Sequence, residues 1–396
     1  MKAGWLSKKL GDLLSVQNGY AFDSKAFGAD GFPLIRIRDL KEGVTTETKF
    51  SAAFDSKYIV NAGDFLIGMD GDFTCHEWKG PPALLNQRVC RLQGFSDSLE
   101  PRFLFYGINA HLKAIEEVTG YTTVKHLSSK QILDIEMVVP PHSEQRRIVT
   151  LLDEAFADIA TAKANAEQNL QNARGLFASR MQTLFDEDQR WERVQLEELL
   201  SRGWIESHLD GNHGSDYPRK EEFVASGVPY IAARALRGWE VDFGEAKYLT
   251  HERAATIRKG LAQDGDVLFA HNATVGPVGI LKTNEPFVIL GTSLSYYRCN
   301  ENFILPEYLA HFMRSPAFVD QFSQVMKQST RNQVPITKQR EFFHVIPPLS
   351  IQQKIANDLD SLSEKIELLE SIYRQKLTAL NDLKKSLLHQ AFSGQL

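Results

Sequence analysis

The 396-residue sequence predicts a mixed α+β fold: two globular segments separated by two long antiparallel helices that form an intramolecular coiled coil, the whole duplicated about a pseudo-two-fold axis. Three observations predict it. Residues 138–185 align with residues 345–392 without a gap at a constant offset of 207. The alignment pairs Pro140–Pro141 with Pro347–Pro348, Gln145 with Gln352, Ile148 with Ile355, Leu152 with Leu359, Asp153 with Asp360 and Phe185 with Phe392. So long a period means two copies of a module rather than a solenoid repeat. Each copy also opens with a proline pair, which cannot lie inside a helix, and then runs for over forty residues without proline. Finally, the two proline-free runs carry complementary apolar stripes, one of small residues and one of large.

Each run reads as one helix. Ser143 and Ser350 stand where an N-cap belongs, and Ser350 with Gln353 fits a capping box. The first helix is expected to end near Phe185 and the second at Ser393–Gly394, where glycine suits the C′ position. On the second helix Ile355, Leu362, Leu369 and Leu383 form one row of a heptad, and Leu359, Ile366, Tyr373, Leu380 and Leu387 form the other, interrupted by Lys376. The same register on the first helix gives Ile148, Leu152, Ala155, Ile159, Ala162, Ala166, Asn169, Ala173 and Leu176. A mostly alanine stripe buries little alone, but it lets a partner with large residues approach closely. Two unrelated surface helices would explain the periodicity without explaining this match.

The domain boundaries follow: a globular segment at 1–139, a central helix at 140–185, a second globular segment at 186–346 and a C-terminal helix at 347–396. In the first segment, 31–39 reads as a strand with Arg36 and Arg38 on one face, 68–79 as a polar loop, 101–118 as a helix, 119–126 as another polar loop and 132–139 as a last strand. The second segment echoes these strings from Trp191, Gly227, Asp264 and Pro306 onward, while its polar loops differ. Diverged loops on one scaffold point to two recognitions, since loops carry binding and scaffold carries fold.

Composition narrows the class. Hydrophobic residues at 43% and charged residues at 24% fit a soluble globular chain, expected in the cytoplasm. No apolar run is long enough for a membrane span, and the first residues do not read as a signal peptide. Cys75, Cys90 and Cys299 are odd in number and widely spaced, so reduced thiols are expected, and Cys75–His76 lacks the second ligand pair of a metal site. The net charge of −5 divides as −1, 0, −4 and 0 over 1–137, 138–185, 186–344 and 345–396. A chain so balanced grips nucleic acid only modestly by itself.

Motifs of catalysis are missing. There is no G-x-x-x-x-G-K followed by Ser or Thr, no G-x-G-x-x-G between strand and helix, and no Asn or Asp before a Pro-Pro-aromatic string such as amino-methyltransferases use. Glu245-Ala246-Lys247 with Asp242 is too compact for a nuclease pattern and reads as a solvated turn. The expectation is a chain without catalytic or metal residues.

The strings NGYAF, GFPLIRIRDL, AGDFLIG, LLNQRV and above all VVPPHSEQRRIVTLLDEAF resemble the specificity subunit of Type I restriction-modification systems, over essentially the whole chain. The C-terminal copy departs from the pattern in carrying Ile351 where the central copy has Glu144. The resemblance implies a non-catalytic reader of double-stranded DNA with two target-recognition domains, each binding one half of a bipartite site, and helices that set the spacing. It further implies two methyltransferase subunits docked along those helices, with S-adenosylmethionine bound by them and no cofactor in this chain. Restriction subunits, where present, would join through the methyltransferases. A coiled-coil scaffold spacing two modules that do not bind DNA is the alternative.

Base contacts are expected from polar loops and Arg-bearing strands. In the first segment these are Tyr20, Arg36, Arg38, Asp70, Asp72, His76, Tyr121, Thr122 and Lys125. In the second they are Arg234, Arg237, His271, Asn272, Gln328, Arg331, Asn332 and Gln333. Arginine matches guanine edges and Asn or Gln matches adenine edges, although any one of these side chains can instead serve an ion pair or a phosphate.

Overall fold

The structure, a computed structural model, describes residues 4–119, 125–185, 191–328 and 332–396. Its longer helices are α1 (Pro101–Val118), α2 (His142–Phe185), α3 (Pro306–Arg314), α4 (Pro316–Lys327) and α5 (Leu349–Ser393). Contacts divide the chain into two units, Met1–Ala166 with Gln375–Leu396, and Glu167–Arg374. The first unit therefore holds the start of α2 and the end of α5. The second holds the end of α2 and the start of α5.

In the first unit β1 (Ser15–Asn18), β2 (Phe65–Gly68), β3 (Cys75–Glu77) and β4 (Val89–Gln93) form an antiparallel sheet in the order β1-β4-β2-β3. In the second unit β5 (Ile205–Asp210), β6 (Val267–Asn272), β7 (Thr274–Ile280) and β8 (Leu294–Cys299) repeat it as β5-β8-β6-β7. Each unit adds a five-stranded sheet of short strands with a single parallel pairing, Leu34 opposite Leu84 in one and Tyr230 opposite Ile289 in the other. Each is closed by a two-stranded ribbon joining its first and last strands, Leu6–Lys9 with Glu136–Val139 and Glu192–Gln195 with Phe343–Ile346. Two sheets with the same strand order, built from diverged sequences, are the duplication at the level of topology.

The helix ends lock into these cores. In the first unit Phe392 of α5 lies 4.8 Å from Phe103 of α1, ring to ring. A Cβ on Gly107 would come within 2.4 Å of the Phe392 ring, so only glycine leaves room for it. In the second unit Phe185 of α2 packs at 5.8 Å from Tyr308 and 5.6 Å from Phe312 of α3. Burial of each phenyl ring is worth about 2–3 kcal/mol. Phe185 and Phe392 are repeat partners, yet each docks in the unit that the other does not.

The helix starts differ from the sequence reading. Because α2 begins at His142 and α5 at Leu349, Ser143 and Ser350 lie inside the first turn rather than at the N-cap. Their place is taken by Gln145 and Gln352, both fully buried. The Gln145 amide donates to the carbonyls of Ser98 and Pro140, both at 2.8 Å, and its oxygen accepts from the Glu100 amide at 2.8 Å. Gln352 does the same with Phe303, Pro347 and Leu305. One side chain thus ties the proline turn to the loop that enters α1 or α3. Gln353 bonds forward to Asn357 and makes no capping box.

Within each unit the helices pair antiparallel. Lys163 reaches Asn381 at 2.8 Å in the first, and Arg174 reaches Glu370 at 2.6 Å in the second. Ile148, Leu152, Ile159, Ala166, Ala173, Ile355, Leu359 and Ile366 are buried. Ala155, Ala162, Leu362, Tyr373, Leu380 and Leu387 are half-buried. Leu176, Leu369 and Leu383 are not core residues, being 59%, 40% and 47% exposed. The second row of the seam lies one residue further along on both helices, at Phe156, Lys163, Leu170 and Phe177, and at Ala356, Ser363, Glu370 and Leu377. Tertiary partners choose this register: Ser363 accepts from the Trp239 indole and Glu370 takes Arg174. Long polar side chains cover apolar surface with their stems, which an apolar-stripe rule does not score.

Two strand expectations also change. The strand from Phe32 ends at Ile35, and Ile37–Asp39 is a 3-10 turn, because the Asp39 carboxylate accepts from the Arg36 amide at 2.8 Å. The last strand starts only at Glu136, after a short helix Ser129–Leu133 capped by Ser128 and Gln131.

Candidate nucleic-acid interface

The polar loops singled out in the sequence meet at one end of the strands of each four-stranded sheet. In the first unit the turn between β2 and β3 lies against the segment that follows α1: the Gly71 amide donates to the Lys125 carbonyl at 3.2 Å, and the Leu127 amide to the Met69 carbonyl at 2.8 Å. Asp70 and His126 form an isolated bridge. The Asp70 carboxylate takes the His126 imidazole at 2.7 Å and the Arg88 guanidinium at 3.0 Å. A third segment enters from the end of β1, where Tyr20 is paired with Asn86. A Cβ on Gly19 would sit 2.0 Å from the Asn86 carbonyl oxygen, so glycine is required for this crossing.

The second unit repeats the arrangement bond for bond. The Ala273 amide donates to the Asn332 carbonyl at 3.0 Å and the Val334 amide to the His271 carbonyl at 2.8 Å. Asn272 and Gln333 form the bridge, and the Asn332 side chain donates to the Ala273 carbonyl at 2.5 Å. Asn212 is paired with Gly291, and a Cβ on Gly211 would lie 1.9 Å from the Gly291 oxygen. Ala273 has φ of 64°, where the first unit has Gly71 at 82°. A left-handed alanine is held there at a cost of about 1 kcal/mol, so the contacts from Asn332 sustain a strained turn.

Each platform thus displays different side chains on one backbone frame: Tyr20, Asp70, Arg88, Lys125 and His126 in the first, Asn272, Asn332 and Gln333 in the second. Arg88 and His126 were missed by sequence reasoning. The offset of 207 places His126 opposite Gln333, and that signal could have found it. Nothing local could have found Arg88, whose partner Asp70 lies on another strand end.

The other expected side chains differ in exposure and in partner. Arg36 is half-buried, its Nε 4.0 Å from Asp39, and Arg38 is exposed on the same 3-10 turn. Asp72 is exposed in the β2–β3 turn. His76 lies in β3, half-buried, and burial lowers its pKa. Arg234 and Arg237 are exposed and engage Glu245 and Asp242. Exposed pairs of this kind are worth about 0–1 kcal/mol and exchange readily for a phosphate. Lys125 pairs with Glu116 at 3.2 Å. Gln328 is exposed at the end of α4. His271 is corrected: it is 3% exposed, and its Nδ1 bonds the Val334 carbonyl at 3.1 Å, so it cannot reach a base. Tyr121, Thr122 and Arg331 lie outside the described residues.

Among the described residues no three of His, Cys, Asp or Glu are grouped to hold a metal. Burial raises all three thiols, Cys90 to about 12 and Cys75 and Cys299 further, so none is poised as a nucleophile. No helix among the described residues is long and apolar enough to cross a membrane.

Two copies of one display frame on one chain match a known family. The family model for the Type I restriction modification DNA specificity domain fits residues 2–171 and again residues 190–378. The chain belongs to this family. As a specificity subunit it serves DNA sequence recognition, while catalysis lies in the methyltransferase and restriction subunits of such systems. It is similar to the Type I restriction enzyme EcoBI specificity subunit of Escherichia coli, 28% identical over 410 residues that cover 99% of this chain and 86% of that one. Against the EcoKI specificity subunit of Escherichia coli strain K12, identity is 22% over 99% of this chain and 89% of that one. A solved structure described for complex assembly and conformational transition of the type I R-M system superposes with a TM-score of 0.74 at 18% identity, covering 100% of this chain and 99% of that one. The HsdS subunit from Thermoanaerobacter tengcongensis superposes with a TM-score of 0.61 at 17% identity, covering 100% and 98%. Both show the fold.

Proposed function

We propose that each unit of this specificity subunit reads one half of a bipartite DNA site, and that α2 and α5 set the number of unread bases between the halves. The observation that supports this is the duplicated platform: the same backbone bridges in both units, carrying Asp70, Arg88 and His126 in one and Asn272, Asn332 and Gln333 in the other. Scaffold identity with side-chain divergence is what two half-sites of different sequence require. Asn332 and Gln333 have the donor and acceptor pair that reads adenine, and Arg88 has the fork that reads guanine. Tyr20 and Lys125 on the first platform, and Arg36, Arg38, Arg234, Arg237 and Gln328 outside the platforms, serve phosphates or flanking bases.

Two methyltransferase subunits dock on the helices and bring S-adenosylmethionine, with restriction subunits joining through them. In support, Leu176 and Leu383 are repeat partners, and both stand in solvent at 59% and 47% exposure. Exposed leucines at equivalent places on a repeat suit two copies of one partner.

Replacement of Asn332 and Gln333 by alanine tests the reading. In cells carrying the altered subunit with its methyltransferase, sequencing of methylated DNA should show one half-site relaxed at one or two positions and the other unchanged. A methylated motif identical to that of the unaltered protein would reject the assignment of this platform.

A further inference from the structure

The two units differ sharply just behind their platforms. Strand pairing sets equivalent positions: Val16 opposite Leu92 in the first unit corresponds to His208 opposite Tyr297 in the second, and Cys90 opposite Ile67 to Ser295 opposite Phe269. Met69 and His271 are equivalent because each offers its carbonyl to the segment after the helix, to Leu127 and to Val334. The repeat offset pairs Ile132 with Gln339. At five interior positions the first unit is therefore apolar or a thiol, and the second carries His, Tyr, Ser, His and Gln. Since one unit folds with apolar residues at these places, the fold does not demand the polar set.

The polar set converges on one peptide. Gln339, fully buried, receives His208 at 3.1 Å, Ser295 at 2.8 Å and Tyr297 at 3.4 Å on its side-chain oxygen. Its amide nitrogen donates to the Val334 carbonyl at 3.2 Å, and His271 Nδ1 donates to the same oxygen at 3.1 Å. The Val334 amide is bonded to the His271 carbonyl. Val334 directly follows Asn332 and Gln333, which brace the left-handed Ala273. The first unit braces its platform at the surface instead, through Asp70, Arg88 and His126.

We propose that Gln339 and His271 are positioning residues for half-site recognition, which clamp Val334 from the interior and so hold Asn332 and Gln333 in register with the Asn272–Ala273 turn. This rests on the platform being the surface that reads bases. A buried network whose bonds meet on the Gln339 side chain and the Val334 carbonyl fixes one geometry more tightly than apolar packing, even with His208 Nδ1 and His271 Nε2 unbonded, because each alternative leaves a further buried polar atom unpaired.

The test uses the full subunit with its methyltransferase and compares methylated motifs for His271→Met and Gln339→Ile, the first unit's residues, for His271→Asn, whose amide nitrogen can stand in for Nδ1, and for Asn332→Ala. Expected are roughly tenfold more frequent methylation of sites with one wrong base in the second half-site for His271→Met and Gln339→Ile, an unchanged first half-site, and recovery of sharpness in His271→Asn. A second half-site still sharp in both variants while Asn332→Ala broadens it would overturn the clamp alone. A motif unmoved by Asn332→Ala would overturn the platform and the clamp with it. Equal broadening of both half-sites would show general loosening and also overturn the proposal. If the variants methylate nothing, amide exchange on the purified full-length His271→Met chain decides: faster exchange confined to 271–274 and 332–334 supports the clamp, and unchanged exchange there contradicts it.

Discussion

Gln145 and Gln352 show how much one side chain carries here. Each is buried with every side-chain polar atom bonded, and each satisfies one carbonyl of the proline turn together with one carbonyl and one amide of the loop that enters α1 or α3. Replacement of either by alanine should cost about 3 kcal/mol, because one buried and two part-buried groups lose their partner. Gln353→Ala, on the exposed side of the same helix, should cost under about 0.5 kcal/mol. Chemical denaturation of the full chain measures both, and equal losses would contradict the assignment. The repeat made these glutamines visible in the sequence, but their role was not. Serine at a helix start is a stronger local signal than a glutamine that works only once a distant loop arrives. The buried histidines give a second residue-scale expectation. Burial lowers His208 to about 3 and His344 to about 4, and it lowers His271 as well, with Arg340 adding to the effect on His208. The unfolded chain titrates near 6.5 and so binds more protons than the folded one between that value and about 4. Stability of the second unit should therefore be complete above pH 6.5 and fall as the pH drops through this window. Amide exchange at Phe269 and Tyr297 should speed up from pH 7 to pH 5, after correction for intrinsic rates, more than at Ile67 and Leu92. Equal change in both units would refute it.

At the scale of elements, the long helices were legible because proline pairs and heptads are local signals. The seam register was not, since Leu369 and Glu370 compete for one position and the partner helix decides. The choice is measurable. Ile366→Asp buries an unpaired carboxylate and should cost several kcal/mol, whereas Leu369→Asp, 40% exposed, should cost about 1 kcal/mol or less. Thermal melting of the two variants separates the registers, and a reversed order would restore the one read from the stripe. Leu176→Glu and Leu383→Glu should leave the melting temperature of the isolated subunit alone and weaken assembly with methyltransferase, seen as dissociation in sedimentation. The platforms were legible as polar loops but not as meeting places. Tyr20 with Asn86, and Asp70 with His126, are joined by strand order, and no spacing in the sequence encodes that order.

For the whole molecule, duplication is the organising fact. Each unit takes the start of the helix that leaves its sheets and the end of the other helix, so neither recognition region closes its core without both helices. Exchange of residues 186–344 for the matching region of another specificity subunit should change one half-site and leave its companion intact. The ruler is tested most directly by length. The helix α2 is 44 residues, or about 66 Å of helix. Insertion of four residues between Gln168 and Asn169, matched by four beside Lys376, adds about 6 Å and roughly 40° beyond a full turn to each helix, a change that paired helices absorb by slight unwinding. Both sites lie at exposed positions. The measurement is the methylated motif in DNA from cells carrying the lengthened subunit and its methyltransferase. The expected result is two unchanged half-sites separated by one or two more unread bases, at about 3.4 Å per base. An active variant with the original gap would contradict the account.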